Sequence, residues 1–157
     1  MIDEKDLEIL TILQSGGRVS NSEIARRVDM TPSGVLERIR RLQDRGVLRG
    51  FHADIDAEKV GVGLLAFVFV KTQERAGEKR VGEALAAFPE VLEVHHVAGE
   101  DCYLIKLRVA NPRALGEILR QGIGAIPEVT ATRSTVVLES HKETSQLPLA
   151  IPDLENG

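Results

Sequence analysis

The first 45 residues show the pattern of three short amphipathic helices. The first begins after an N-cap at Asp3, and a pair of glycines ends it. Ser20 and Glu23 have the spacing of a capping box, which predicts that a second helix starts at residue 21. Thr31 followed by Pro32 predicts the start of a third helix, because threonine caps helix ends and proline fits the first helical position. Apolar residues recur at helical spacing in this third segment, so we expect one of its faces to be buried.

After residue 60 the pattern changes to strands and helices in alternation. The predicted strands cover residues 64–72, 91–97, 103–109 and 129–139, and the predicted helices cover residues 78–88 and 112–122. The order β-α-β-β-α-β is that of the ferredoxin-like sandwich, an antiparallel sheet with both helices on one face. The strand over 64–70 is uniformly apolar, which makes it a candidate for the centre of the sheet or for a dimer interface.

The predicted fold class is α+β, and the chain divides into three parts. Residues 1–60 form a helical domain with a linking arm, in which 47–55 is extended or folds into a short hairpin. Residues 61–142 form the sandwich. Residues 143–157 form a tail that we interpret as an arm or a disordered end.

Composition and charge add two constraints. Aromatic residues make up only 3% of the 157 residues, which argues against a surface of stacked rings for single-stranded nucleic acid. The formal net charge is -4, yet eight arginines and only four acidic residues lie between Arg18 and Arg49. A local arginine cluster on an acidic protein indicates one surface for an anionic partner, although a solvated helix face has the same charge pattern.

The second and third predicted helices are separated by three residues, which is the spacing of a helix-turn-helix. In that motif the N-terminal end of the second helix enters the major groove of DNA, where small residues allow close approach and arginines reach guanine edges or phosphates. We therefore predict that this segment binds double-stranded DNA. The candidate DNA-binding residues are Ser22, Thr31, Ser33, Gly34, Glu37, Arg38, Arg40 and Arg41.

Residues 30–42 (MTPSGVLERIRRL) and 44–56 (DRGVLRGFHADID) resemble the winged helix-turn-helix of the Lrp/AsnC family of bacterial and archaeal transcriptional regulators. The opening residues 7–10 (LEIL) and the β-α-β-β-α-β half are also similar to that family, so the resemblance covers residues 2–148. It implies homodimers held by the sheet domains, often assembled further into tetramers or octamers. It also implies regulation of amino-acid metabolism genes, with an amino-acid effector bound by the second domain.

The same resemblance points to an effector loop between the second and third strands of the sandwich. Family members usually carry Thr-Gly-x-x-Asp-Tyr there, whereas this chain has Ala98 and Cys102 at the first and fifth positions. Recognition of an amino acid needs backbone amides for its carboxylate and an acid for its ammonium group. A plain hairpin turn with solvated acids explains the loop equally well. The candidate effector-binding residues are Ala98, Gly99, Glu100, Asp101 and Tyr103, with Thr132 and Ser134 closing the pocket from across the sheet or from another subunit.

Other kinds of site find little support. His95 and His96 are adjacent on a predicted strand, so their side chains point to opposite faces and cannot share one metal ion. We find no nucleophile–base pair, phosphate loop or paired carboxylates, and therefore expect no enzyme activity, no metal and no cofactor. The chain has no apolar run of ~20 residues and does not begin with a basic and then apolar segment, so we expect a cytoplasmic, nucleoid-associated protein.

The alternative function is that of a small-molecule-binding, ferredoxin-like oligomer whose helical hairpin serves only for dimerisation. Salt-dependent binding to duplex DNA distinguishes the two hypotheses, because neutralising phosphates releases counterions. An enzyme on the same scaffold is a third hypothesis, since a fold alone does not fix function.

Overall fold

The computed structural model describes residues 2–16, 18–75, 77–100 and 102–149. They form two compact units: the first comprises the residues up to Asp54 together with the segment from Glu143 onward, and the second comprises Ile55–Lys142. The boundary between the units thus follows residue 54, whereas the sequence pattern predicted a boundary near residue 60. The tail belongs to the first unit. No helix within the described residues is long and apolar enough to span a membrane.

The first unit is built from three helices, α1 (Glu4–Ser15), α2 (Asn21–Val28) and α3 (Pro32–Asp44). Their apolar faces meet in one core, in which Ile9, Ile24 and Val35 are fully buried. Asp29 joins α2 to α3 in the left-handed conformation, with a φ of 53°, so that the chain turns sharply between the two helices. The predicted helix-turn-helix is therefore present.

The third helix starts and ends as its local sequence predicts. Thr31 caps α3 by accepting a hydrogen bond from the Gly34 amide, and Pro32 occupies the first turn. Gly46 follows the end of α3 with a φ of +68°, a conformation that glycine adopts without strain. Residues 49–56 then contain neither helix nor strand. The alternative of a hairpin therefore loses support, and the extended linking arm stays a prediction.

The capping box predicted at α2 forms only in part. Ser20 accepts a hydrogen bond from the Glu23 amide, but the Glu23 carboxylate binds two arginines of its own helix. A complete box occurs instead at α1, where the side chains of Asp3 and Asp6 each accept a hydrogen bond from the other's amide. Arginines three and four positions beyond Glu23 compete for its carboxylate, which explains the difference.

The second unit is an α+β sandwich with the predicted element order. Its elements are β1 (Leu64–Thr72), α4 (Arg80–Ala86), β2 (Val91–His96), β3 (Tyr103–Val109), α5 (Pro112–Glu117) and β4 (Val129–Val136). The second predicted helix changes after α5 into one π-helical turn, Ile118–Gly122, and one 3₁₀ turn, Ile123–Ala125. The strands form one antiparallel sheet in the order β2-β3-β1-β4, so the apolar β1 is an inner strand.

The two faces of this sheet differ. Alternate residues of β1 and β3, among them Val68 and Ile105, are buried with Val81 and Leu85 of α4 in the core of the unit. The intervening residues of β1 point to the opposite face. We call that face, with Phe67, Phe69, Leu104 and Thr135, the open face. Its phenylalanines are only half-buried, and the Arg133 guanidinium lies 4.2 Å from the centre of the Phe69 ring.

The described part of the tail lies against α1. The Gln14 side chain donates a hydrogen bond to the Leu147 carbonyl at 2.7 Å and accepts one from the Leu147 amide at 3.0 Å. The Gln146 side chain donates to the Gln14 carbonyl at 2.9 Å. Residues 143–149 therefore form an arm on the first unit, while the rest of the predicted tail, 150–157, lies outside the described residues.

Candidate nucleic-acid interface and effector loop

The exposed face of α3 carries Ser33, Leu36, Glu37 and Arg40. These residues are three or four positions apart and therefore lie side by side on one side of the helix. The opposite side of α3 lies in the core of the first unit. We call this exposed set the recognition face, because its hydroxyl, carboxylate and guanidinium are groups that hydrogen-bond base edges.

Thr31 and Gly34 lie where the turn between α2 and α3 ends, and Ser22 lies at the other end of α2. Ser22 is exposed in the first turn of α2. The Thr31 hydroxyl accepts from the Gly34 amide at 3.2 Å and lies 3.2 Å from the Ser33 hydroxyl. A Cβ at position 34 would lie only 3.1 Å from the Thr31 hydroxyl. The small residue at Gly34 is therefore explained by the tight helix cap, whether or not DNA also approaches it.

Arg38 and Arg41 lie on the flank of α3 that faces α1, where acidic residues bind them. Nη1 of Arg38 lies 2.6 Å from Oδ2 of Asp3 and 2.8 Å from Oδ1 of Asp6. Nη2 of Arg41 lies 3.3 Å from the same Asp6 oxygen. Asp6 is fully buried, and the side chain of Arg38 is only 22% exposed. The four residues form an ion-pair network that joins α1 to α3.

The network shifts the ionisation of its members. The hydrogen bond from Arg38 lowers the pKa of Asp3, and the bonds to Asp3 and Asp6 raise the pKa of Arg38. The structure thus gives Arg38 a role in joining two helices, a role that the sequence did not suggest. A helical projection shows that Arg38 lies on a flank of α3, but it does not show that α1 packs there.

A second cluster of charges lies on α2. Oε1 of Glu23 lies 2.8 Å from Nη2 of Arg26 and 2.8 Å from Nε of Arg27. These hydrogen bonds lower the pKa of Glu23 to about 2, so the carboxylate stays ionised in mild acid. Glu23 therefore balances part of the positive charge of these two arginines on the surface of α2.

The predicted effector loop is a turn between β2 and β3, closed by a hydrogen bond from the Val97 amide to the Cys102 carbonyl. Gly99 has a φ of +139°, which residues with a side chain rarely adopt. Ala98, Gly99 and Glu100 are exposed, so their backbone and the Glu100 carboxylate are accessible to a ligand. Asp101 lies outside the described residues.

Tyr103 does not point into this loop. Its ring is buried in the core of the sandwich, 3.0 Å from where a Cβ of Gly82 would be. Its hydroxyl donates to Oε2 of Glu74 at 3.0 Å, and Oε1 of Glu74 accepts from the Val81 amide in the first turn of α4. Burial is the main cause that raises the pKa of Tyr103, followed by its bond to Glu74. The Tyr103 hydroxyl therefore makes a structural hydrogen bond at the base of the loop, and its contact with an effector stays a prediction.

Thr132 and Ser134 are exposed on β4, but one chain does not bring them to the loop. Thr132 pairs with Val70, and Val70 pairs with Tyr103, so two strand spacings, ~10 Å, separate Thr132 from the end of the loop. Of the two predicted arrangements, closure from across the same sheet therefore loses support, and closure from another subunit remains.

The adjacent histidines of β2 have different partners. Nε2 of His95 lies 3.1 Å from Oε2 of Glu93, whose other oxygen lies 3.5 Å from Lys106. The His96 ring packs 5.1 Å from the Tyr103 ring on the other side of the strand. Within the described residues, no three His, Cys, Asp or Glu side chains are grouped as a metal ion would require.

A cavity of about 390 Å³ lies at the opposite end of the sheet from the effector loop, where β1 begins and β4 ends. Asp56, Glu58 and Glu139 contribute carboxylates to its lining, and Nη1 of Arg108 donates to the Gly63 carbonyl at 3.2 Å. Its walls come from four separate stretches of the chain, so no local sequence pattern predicts it.

The first unit is a helix-turn-helix with an exposed recognition face, and the second is a ferredoxin-like sandwich with an accessible turn. These are the two parts of a DNA-binding transcriptional regulator with a ligand-binding domain. Comparison with known families identifies the same two parts. The family model for a winged helix-turn-helix DNA-binding domain matches residues 2–49, and the model for the Lrp/AsnC ligand binding domain matches residues 65–147. The chain belongs to the Lrp/AsnC family.

Individual relatives agree over nearly the full length. The transcriptional regulator FL11 of Pyrococcus horikoshii is 39% identical over 149 residues, 94% of this chain and 97% of the relative. The transcriptional activator DecR of Escherichia coli K12 is 34% identical over 151 residues, 95% of this chain and 99% of the relative. These are transcriptional regulators and not enzymes.

Solved structures show the same fold. A transcriptional regulator of Neisseria meningitidis in complex with L-methionine matches with a TM-score of 0.87 at 31% identity, covering 95% of this chain and 97% of that chain. The feast or famine regulatory protein of M. tuberculosis complexed with L-methionine matches with a TM-score of 0.86 at 35% identity, covering 94% and 99%. The α+β fold and the resemblance inferred from the sequence are confirmed.

Proposed function

We propose that this chain is a homo-oligomeric, nucleoid-associated regulator of amino-acid metabolism genes that binds operators through α3 and responds to an amino acid. The observation that carries the proposal is the recognition face, which presents a serine, a carboxylate and a guanidinium on the exposed side of a helix-turn-helix. In this arrangement Arg40 binds base edges or phosphates, and Glu37 accepts hydrogen bonds from the amino groups of bases. Thr31 at the start of α3 and Ser22 at the start of α2 contact the DNA backbone.

Arg40→Ala tests this assignment. Operators are first selected from genomic DNA with the unaltered protein, and affinity is then measured as a function of salt. Loss of a base contact costs about 1–3 kcal/mol and relaxes specificity at one position, whereas loss of a phosphate contact lowers affinity for all sequences and reduces the salt slope. Arg113→Ala is the matched control, because Arg113 is an exposed arginine of the second unit. Equal affinities of the two variants would refute the assignment.

The open face supports a dimer. Phe67, Phe69 and Leu104 form an apolar strip on the side of the sheet that lacks helices, and such a strip is stabilised when a second copy covers it. A dimer of this kind presents two copies of α3 to half-sites ~10 bp apart, or a multiple of that spacing. Dimers then assemble into tetramers or octamers.

Sedimentation of Phe67→Glu tests the dimer, since a buried carboxylate on the open face is costly. Val136→Glu places the same charge on the opposite face of the same sheet, where Val136 pairs with Ala66. We expect Phe67→Glu to sediment as a monomer and Val136→Glu to keep the dimer. A dimeric Phe67→Glu variant would exclude the open face as the interface.

The exposed turn 98–100 supports an amino-acid site. Its exposed backbone amides suit a carboxylate, and Glu100, together with Asp101, supplies the acid for an ammonium group. Two structural neighbours are complexes with L-methionine, which makes methionine the first amino acid to test. Thr132 and Ser134 of another copy complete the pocket.

Calorimetric titration against all twenty amino acids, methionine first, tests the site directly. We expect Gly99→Asp to abolish the heat of binding while operator affinity of the unliganded protein stays within two-fold, because a side chain at φ +139° distorts only this turn. No binding at millimolar concentration by the unaltered protein would leave the second unit as an assembly domain.

A further inference from the structure

Leu36 is a large apolar side chain in the middle of the recognition face. It is 36% exposed, although Val35 beside it is completely buried in the core. A single exposed leucine on a protein surface needs no explanation. Its neighbours make this one informative, because every other residue of the recognition face is polar or charged.

The position of Leu36 follows from helix geometry. It lies three residues after Ser33 and four before Arg40, so its side chain is between theirs on the same side of α3. It is also in the second turn of the helix, and the N-terminal turns are those that enter the major groove in a helix-turn-helix. If Ser33 and Arg40 contact DNA, Leu36 is brought against the floor of the groove and not against the phosphates.

The major groove offers one apolar group to such a side chain. Donors and acceptors line the edges of all four base pairs, and the C5-methyl group of thymine is the exception. Glu37, next to Leu36, favours nearby bases that donate, such as the N4 amino group of cytosine, and is repelled by phosphates.

We propose that Leu36 packs against a thymine C5-methyl group and selects thymine at one position of each half-site. The proposal rests on the proposed function, since it requires α3 to bind operator DNA. Hydrophobic periodicity places Leu36 neither in the core nor among the DNA contacts, so the proposal adds a residue that determines specificity.

The test replaces the thymines of the selected operator one at a time with deoxyuridine, which keeps every hydrogen-bonding group and lacks only the methyl. At one thymine in each half-site we expect the unaltered protein to lose about four-fold in affinity, the value of one buried methyl group. Leu36→Ala should bind the thymine and uracil operators equally at that position, and Leu36→Met should retain part of the preference.

Leu92→Ala is the matched control, because Leu92 is an exposed leucine of the second unit, and it should keep the full four-fold preference. Alanine is a strong helix former, so Leu36→Ala preserves α3. If Leu36→Ala keeps the same thymine-to-uracil ratio at every position, the proposal is overturned while operator binding by α3 stands. If the unaltered protein selects no operator at all, the proposed function and this inference fail together.

Discussion

Arg38 and Arg40 are two positions apart on α3, and we predict that their replacements damage different properties. Asp6 is fully buried in the unaltered protein, and after Arg38→Ala its remaining cationic partner among the described residues is Arg41, at 3.3 Å. Breaking a buried ion pair by removing one partner costs about 3–5 kcal/mol, and a hydrogen bond to a charged group is worth about 1.5–3 kcal/mol. Because Arg41 remains and Arg38 itself is partly exposed, we expect Arg38→Ala to lower the free energy of unfolding by about 2–3 kcal/mol.

Thermal denaturation measures this loss. For a small unit such as the first one, each 1 kcal/mol shifts the melting temperature by roughly 4–8 °C, so its transition should fall by more than about 8 °C. Glu117→Ala, which removes an exposed pair with Arg113, should change stability by less than about 0.5 kcal/mol. A double-mutant cycle with Asp6→Ala should show strong coupling between the two residues.

Arg40→Ala should show the reverse pattern. Arg40 is exposed on the recognition face, so its replacement should leave the melting temperature nearly unchanged and weaken operator binding. An Arg38→Ala variant that is as stable as the unaltered protein but binds DNA as weakly as Arg40→Ala would contradict this prediction. That result would mean that Arg38 leaves Asp3 and Asp6 to contact DNA.

Three further predictions follow from individual contacts. The pKa of Asp3 is lowered from 3.8 in the folded state, so the Asp3 carboxylate stabilises the protein above pH 3.8, and this stabilisation is lost as the pH falls through the lowered pKa. The free energy of unfolding should therefore fall less steeply with acid in Asp3→Asn, which keeps the N-cap. Tyr103→Phe removes the hydrogen bond to Glu74 and should lower the free energy of unfolding by about 1 kcal/mol, measured by thermal denaturation, while effector affinity measured by calorimetry stays unchanged. A loss of effector affinity without a loss of stability would show that Tyr103 contacts the effector. Gln14→Ala removes the two hydrogen bonds between the Gln14 side chain and the Leu147 backbone, so amide exchange at Leu147 should accelerate. Unchanged protection would show that another contact, such as the bond from the Gln146 side chain to the Gln14 carbonyl, holds the tail.

Local signals in the sequence predicted the elements well. Thr31 and Pro32 act on the turn in which they occur, so the start of α3 follows from two adjacent residues. The strands β1 and β3 were predicted with their observed bounds because β1 is a nearly continuous apolar run and β3 alternates apolar and charged residues after Ile105. The π-helical turn after α5 has no such signal, since it continues an ordinary helical pattern.

The candidate site was harder to predict because it depends on which elements pack together. The alternation of β3 places Tyr103 on the same face as Ile105, which indicates that Tyr103 is buried. The prediction of an effector contact followed the family motif instead of this alternation. The role of Arg38 depends on acids of α1 that are 32 and 35 residues away in the sequence. For Leu36 the signal was present, because it falls outside the buried stripe of α3 and is apolar.

The docking of the tail on α1 determines the order in which the first unit is completed. Gln14 and Leu147 are 133 residues apart, and the whole second unit is synthesised between them. A nascent chain emerges from its N-terminus at about 5–20 residues per second. The three helices are therefore synthesised before the tail, and that surface of the DNA-binding unit can be covered only after the ligand-binding unit has been made. The tail contact therefore distinguishes a chain that extends through Leu147 from one truncated before residue 143.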